Sequence, residues 1–408
     1  MLINNHLRAK ERNGLNMTTA THSTPQQKLR ILFITDTDTD GLAVTTFIEI
    51  TRAMRKIGCV VEPVFLCHES AGYIPDIQPM HLLIYKFGSY LSSIQVYIKL
   101  IALVVNNRKR FDWIMTEPTS ALFLAPFAML RPVIPSIPKI VLDVRTQPVE
   151  VPDNWRGYVT RKKFSMTIKA AAHCFNGMLA ITDEMAKYLK KITDIRMPVG
   201  IWTSGVNLYL FNPDKLYEPI PGIEKRFVIM YHGVFTPTRG LDMIILAIDK
   251  IRREYPEVLM FFLGDGSMRE KMKAMVRERD MDDHVVICGP VPNNEIPRYL
   301  HSAHIGILAF PNHEWWSVQS PLKLFEYLAM SKPVIISDIP MNRNVVGNRN
   351  IAFYIKDNSV EQICEGIKTA VINRQQLSAM GEDGRKMIVE EYSWMSQAGK
   401  IYKYLLAV

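Results

Sequence analysis

One segment concentrates residues able to handle a charged, hydroxyl-rich ligand: PNHEWWSVQSPLKLFEYLAMSKPVIISD, residues 311–338. Ser320 is a residue type that caps helices, and Pro321 suits a first helical position. Leu322, Lys323 and Glu326 follow within the first turns. A helix start offers N–H groups and a positive dipole end, and a lysine beside it makes an anion site. A carboxylate one turn on accepts hydrogen bonds from ligand hydroxyls. Phosphate and hydroxyl recognition on one helix start suit a nucleoside diphosphate. The alternative is an ordinary capped helix packing Leu324, Phe325 and Leu328. A second basic position lies in YHGVFTPTRGLDMI, where Gly233 ends an apolar run and Arg239 precedes a helix. Arginine there can grip a phosphate bidentately. The GDG at 264–266 marks a strand-to-helix turn and lacks the dinucleotide fingerprint.

The first half offers carboxylates. DTDTDG, residues 36–41, follows an apolar strand and contains D-x-D twice. Such a pair can hold a divalent metal on a diphosphate, but the nucleotide elements lie in the other half. The reading adopted is a strand-end loop with Gly41 facing the cleft near the acceptor, and no metal. LDVRTQP places Asp143 and Arg145 at a strand end. Asp143 is the candidate acid/base residue and Arg145 a candidate acceptor ligand; the alternative is an internal ion pair. His68, His173 and His232 have no metal-ligand spacing and read as core or surface residues.

These residues need two scaffolds. LRILFIT, a helical 43–58 and CVVEPVFL open a doubly wound α/β pattern, with further strands predicted at 113–116, 139–144 and 177–182. A Pro-rich break at 208–225 follows. The pattern restarts with RFVIMYHG, and strands recur at VLMFFLGDG, HVVICGPV, IGILAF and PVIISD. The expected domains are a disordered lead-in 1–28 without the apolar core of a signal peptide (Met17 is an alternative start), an acceptor domain 29–207, a linker 208–225, and a nucleotide-sugar domain 226–387. A segment at 388–408 closes the chain. Ligands bind at the carboxyl ends of such strands, which makes the interdomain cleft the expected site.

The chain has 408 residues and a net charge of +9. Residues 1–200 carry 25 basic and 16 acidic side chains, and the remainder is balanced. The halves therefore face different partners. Residues 81–110, apolar but broken by Lys86 and Lys99, end in Arg108, Lys109 and Arg110; Arg161, Lys162 and Lys163 form a second basic run. Basic, apolar and aromatic residues together suit an anionic membrane surface, against a buried helix with a solvated basic loop. Nucleic acid is disfavoured because no aromatic pattern accompanies the charge. No uninterrupted apolar run reaches membrane-spanning length. Five scattered cysteines without a C-x-x-C pair fit a reducing compartment.

In order and spacing, HGVFTPTRGLDMIILAI, LGDGSMREKM, CGPVPNNEIPRYLHSAHIGILAF, SPLKLFEYLAMSKPVIISD and EEYSW resemble a GT-B glycosyltransferase of family 4, group 1. The resemblance covers roughly 175–400. It implies two Rossmann-like domains facing each other, a UDP- or GDP-sugar donor, retention at the anomeric carbon, no metal, and a last helix crossing back to the first domain. It implies diphosphate binding by Gly233, Arg239, Ser320, Pro321, Leu322 and Lys323, ribose binding by Glu326, and base binding near Val291. The family's diphosphate Arg/Lys pair falls on Val234 and Arg239, so one cation is lost, and Lys323 is expected to compensate. Its Glu-x7-Glu falls on Val318 and Glu326, so only the second Glu remains. The expected protein is a cytoplasmic, membrane-peripheral transferase acting on a lipid-linked glycan or other envelope precursor. The rivals are a sugar-nucleotide epimerase, for which Asp143 and Glu314 are the loose acid/base candidates, and a non-catalytic sugar-nucleotide or glycan binder.

Overall fold

The computed structural model describes residues 28–408 apart from 37–43, 68–73, 75–76, 85–89, 149–150, 152–153, 195–196, 314–315 and 317. Gly41, Asp38, Asp40, His68 and Glu314 lie outside the described residues, as does nearly all of the lead-in.

The first domain runs β1 (Arg30–Thr35), α1 (Val44–Lys56), β2 (Val60–Cys67), β3 (His81–Ile84), α2 (Tyr90–Asn107), β4 (Trp113–Thr116), α3 (Pro118–Met129), β5 (Lys139–Val144), α4 (Trp155–Cys174), β6 (Gly177–Ala180), α5 (Asp183–Thr193) and β7 (Val199–Ile201). All strand pairs are parallel, in the order β3-β2-β1-β4-β5-β6-β7. Strands of a parallel sheet are covered on both faces, which is why these runs are continuously apolar. Alternation divides them: Leu32 and Ile34 join the core on one face, while Ile31 and Phe33 join the core on the other. The stretch 81–110 is not a single helix. HLLI adds β3 to the free edge of β2, with Leu82 opposite Phe65, before α2 begins. The short strand β7 was also not anticipated.

The second domain runs β8 (Phe227–Val234), α6 (Leu241–Ile251), β9 (Val258–Asp265), α7 (Arg269–Glu278), β10 (Val285–Cys288), α8 (Ile296–Ser302), β11 (Ile305–Leu308), α9 (Leu322–Ala329), β12 (Val334–Ser337), α10 (Pro340–Val346), β13 (Ala352–Ile355), α11 (Val360–Ile372), α12 (Leu377–Glu391) and α13 (Trp394–Ala407). Its sheet order, β10-β9-β8-β11-β12-β13, repeats that of the first six strands of the first domain. In each sheet the order reverses beside the first strand, leaving a crevice between β1 and β4 and another between β8 and β11. The Pro-rich segment 208–225 is not a loose tether: Phe211 and Ile223 are buried in the second domain's core.

The last helix packs on the first domain. Trp394, Ala398, Ile401, Tyr402 and Leu405 recur at helical spacing and enter the core beneath β1. Tyr404 accepts a bond from the Met178 N–H and donates to the Pro198 carbonyl, each at 2.9 Å. Gly177 and Gly200 leave room for its ring.

Candidate active site

The second crevice is built on β8 and α9. Gly233, near the end of β8, has φ +119, and a Cβ there would fall 2.8 Å from the Nζ of Lys323. Glycine thus lets the lysine from α9 lie against the strand end. Gly264, at the end of β9, is required for the same kind of approach, since a Cβ would collide with the Gly233 carbonyl. Arg239 closes a single 3-10 turn, Pro237–Arg239, and its guanidinium lies 4.4 Å from the centroid of Trp316 and 5.1 Å from that of Phe310. Those two rings stack at 5.0 Å. Arg239 Nε and Trp316 Nε1 are both buried and have no hydrogen-bond partner among the described residues. Buried donors are normally satisfied, so two orphans beside a lysine mark a place for an anion.

Glu326 faces the same crevice. Its Oε2 is 3.4 Å from Nε2 of His232, which is itself buried and has no hydrogen bond at that nitrogen. Burial and the Lys323 charge push His232 down to about 3, so the ring is neutral. Burial raises the Glu326 carboxyl, partly offset by Lys323. Burial also lowers Lys323, reinforced by Arg239 and opposed by Glu326. An arriving diphosphate favours the charged lysine. His232 had read as a plain core histidine; only its place one residue before Gly233 could have signalled more. Val291 is half-buried against the second core. Arg269, missed in the sequence, lies against Gly289, two residues before Val291 in the chain: a Cβ there would be 3.2 Å from its Nη2.

Ser320 and Pro321 are placed differently from expectation. The helix starts at Leu322 with Pro321 as its cap residue, and no side chain caps it. The Ser320 hydroxyl instead bonds Thr203 Oγ1 at 2.7 Å and accepts from the Ser204 N–H at 3.3 Å. It is an interdomain latch, because two partners from the first domain compete successfully for one hydroxyl. Val318, where the family has its first Glu, is 7% exposed and sits in the first domain's core cluster, its carbonyl accepting from Thr182 at 3.0 Å. Val234 ends β8, its carbonyl accepting from Tyr231 at 3.0 Å. Leu322 is 37% exposed beside Lys323.

The first crevice carries carboxyl groups. Glu117, following β4, accepts from Thr35 Oγ1 at 2.8 Å and from the Asp36 N–H at 3.1 Å. Burial and the neighbouring Asp36 carboxyl raise Glu117 well above the usual range. The sequence reading missed it; a polar residue between an apolar strand and a proline was the available signal. Asp143 is 1% exposed, and its Oδ1 accepts from Trp202 Nε1 at 2.9 Å. Burial raises it to about 6. Enclosed on β5, it takes the internal role that the sequence also allowed, beside Arg145 and bonded to Trp202, rather than lying on an open surface. Arg145 stacks on Trp202 at 3.6 Å and donates to the Trp202 carbonyl and Ser204 Oγ. It positions the latch loop rather than lining an open acceptor site. Among the described residues no three His, Cys, Asp or Glu side chains could hold a metal ion.

Of the basic positions assigned to a membrane face, Arg110 is committed elsewhere. It donates to Glu62 at 2.6 Å, a carboxylate that also meets His81. Arg108 donates to Ser136 and to the Val105 carbonyl. Lys162 and Lys163 are exposed on α4 with Arg161, alongside Trp155, Tyr158 and Met166, all more than half exposed. Among the described residues no helix is long and apolar enough to cross a membrane.

Two facing, all-parallel α/β domains with a cationic crevice in the second define the GT-B architecture. Residues 215–387 match the family described as glycosyl transferases group 1. Among curated relatives, a GDP-mannose-dependent α-(1-6)-phosphatidylinositol monomannoside mannosyltransferase of Mycobacterium tuberculosis is 23% identical over 211 residues, covering 49% of this chain and 54% of that protein. The chain thus spans about half the length of the curated relatives it matches. The fold extends further. Anabaena HepE in complex with UDP and glucose superposes with TM-score 0.70 at 13% identity, over 93% of this chain and 100% of that one. Sucrose-phosphate synthase of Thermosynechococcus elongatus gives 0.71 at 15% over the same shares.

Proposed function

We propose that this chain is a retaining, metal-independent glycosyltransferase that moves a sugar from a nucleoside diphosphate sugar to a lipid-linked glycan or other envelope precursor at an anionic membrane surface. The observation that carries the donor reading is the pair of orphaned buried donors, Arg239 Nε and Trp316 Nε1, beside Lys323 and Glu326. Arg239 and Lys323 would take the charge that builds on the leaving diphosphate, where preorganised cations act most strongly. Glu326 would accept from ribose hydroxyls. With the diphosphate so held, no side chain need act as nucleophile. Across the cleft, Glu117 and Asp36 supply carboxyl groups at the first switch point, suited to bonding acceptor or sugar hydroxyls. The relatives support this reading: one is named for GDP-mannose and a phosphatidylinositol mannoside, and one structural neighbour holds UDP and glucose. The exposed aromatic and basic residues of α4 support membrane contact. The test is release of free nucleotide from UDP- and GDP-sugars by the full chain, dependent on anionic vesicles carrying acceptor lipid and unaffected by EDTA. Loss with EDTA and rescue by magnesium or manganese would return Asp36, Asp38 and Asp40 to a metal role.

A further inference from the structure

The pole opposite the cleft holds a second basic cavity. The amino ends of β1, β4 and β5 converge there, and the tip of α13 covers one side. The cavity is about 510 Å³ and is lined by Arg108, Lys109, Arg131 and Lys139, with Leu405 and Leu406 from α13. Asp112 also lines it, but its carboxylate is engaged by Arg30 at 2.7 Å. Lys139 donates to the Val408 carbonyl at 2.6 Å. Arg131 is the telling residue. Its Nε is buried with no hydrogen-bond partner, and the side chain also lines an adjoining cavity of about 400 Å³. Arg131 thus lines a cationic cavity while its guanidinium keeps a buried N–H for which the described residues supply no acceptor. The chain neighbours of Arg131 are apolar and exposed: Met129 is 67% exposed and Val133 80%, with Leu130 and Ile134 also exposed.

The geometry points to a binding site for a phosphate-bearing group at this pole, separate from the donor crevice. Arginine presents a planar fork to a phosphate, and lysines add charge without fixed direction. The exposed apolar side chains flanking Arg131 in the chain suit the acyl chains of a lipid whose phosphate enters the cavity, whereas a free phosphate compound would use the cavity alone. The site does not depend on the transferase reading, because none of its residues touches the cleft.

Calorimetry on the full chain tests it with two probes, monomeric dihexanoyl phosphatidic acid and inorganic phosphate, each with and without UDP. Saturable binding of either probe, unchanged by UDP and weakened at least tenfold by Arg131→Gln, is the expected result. Preference for the acylated probe assigns a lipid headgroup, and equal binding assigns a soluble phosphate. Lys109→Gln, at an exposed position, weakens the same binding and guards against misfolding of the first variant. No saturable binding of either probe, full competition by UDP, or wild-type binding in both variants would overturn the site. UDP affinity, read in the same titrations, reports separately on the donor crevice.

Discussion

The two crevices share a topology and differ in charge. Both lie where a parallel sheet reverses its strand order. Between β8 and β11 the chain places Arg239, Lys323 and two orphaned N–H donors; between β1 and β4 it places Glu117 and Asp36. Topology therefore locates a binding site in each half, and side-chain chemistry decides what each can hold. The second suits an anion. The first suits hydroxyl groups and would repel a diphosphate. One chain links them: Asp143 accepts from Trp202, Arg145 stacks on Trp202 and reaches Ser204, and Ser204 donates to Ser320, two residues before α9.

The largest expected effect strikes the cationic crevice. Arg239→Ala or Lys323→Ala should lower kcat by roughly 10²- to 10³-fold, the usual cost of removing one preorganised donor from developing charge. Steady-state assays with whichever nucleotide sugar supports turnover check this. A loss below tenfold in both variants would make the two crevices equivalent in function.

Glu326→Gln should weaken donor binding by about ten- to a hundredfold, since charge-assisted bonds are worth about 1.5–3 kcal/mol. The pH dependence sharpens the point. Burial raises Glu326 and lowers Lys323, so both titrate closer to neutrality than usual. Donor affinity needs the carboxylate and the ammonium together. It should fall on acidification, as Glu326 takes a proton, and fall on alkalinisation, as Lys323 loses one. In Glu326→Gln the acid limb should disappear and the alkaline limb remain, read by nucleotide titration across pH.

Smaller effects belong to the link between the halves. Trp202→Phe leaves the Asp143 Oδ1 unpaired in the core and should cost about 1–3 kcal/mol in denaturant unfolding. Ser320→Ala removes a hydroxyl that bridges Thr203 and Ser204 and should cost about 1 kcal/mol, with nucleotide affinity nearly unchanged. A large loss of nucleotide affinity in Ser320→Ala would restore Ser320 to the diphosphate site.

Legibility followed the same division. The second domain's strands other than the four-residue edge strand β13, and its turn glycines, are readable because each sits in a local pattern of strand, turn and helix start. Ser320 misled because Ser-Pro before an apolar helix is a common capping pair, and only the tertiary partners Thr203 and Ser204 override it. The first domain hid more. β3 and β7 are short edge strands of four and three residues, too brief for a period to register. Glu117 follows a strand with no motif around it, and its environment comes from Thr35 and Asp36, some eighty residues away in sequence. In sequence, Asp143 and Arg145 suit a cleft role and an internal pairing equally; burial and Trp202, distant in sequence, favour the interior.

On the proposed function the second crevice, and not the first, holds a nucleoside diphosphate. Calorimetric titration of the full chain with UDP and with GDP tests it most directly, comparing wild type, Arg239→Ala and Glu117→Gln. At least one nucleotide should bind the wild type, Arg239→Ala should weaken it tenfold or more, and Glu117→Gln should bind it as the wild type does. Binding that survives Arg239→Ala but is lost in Glu117→Gln would contradict the account and move the donor to the other side of the cleft.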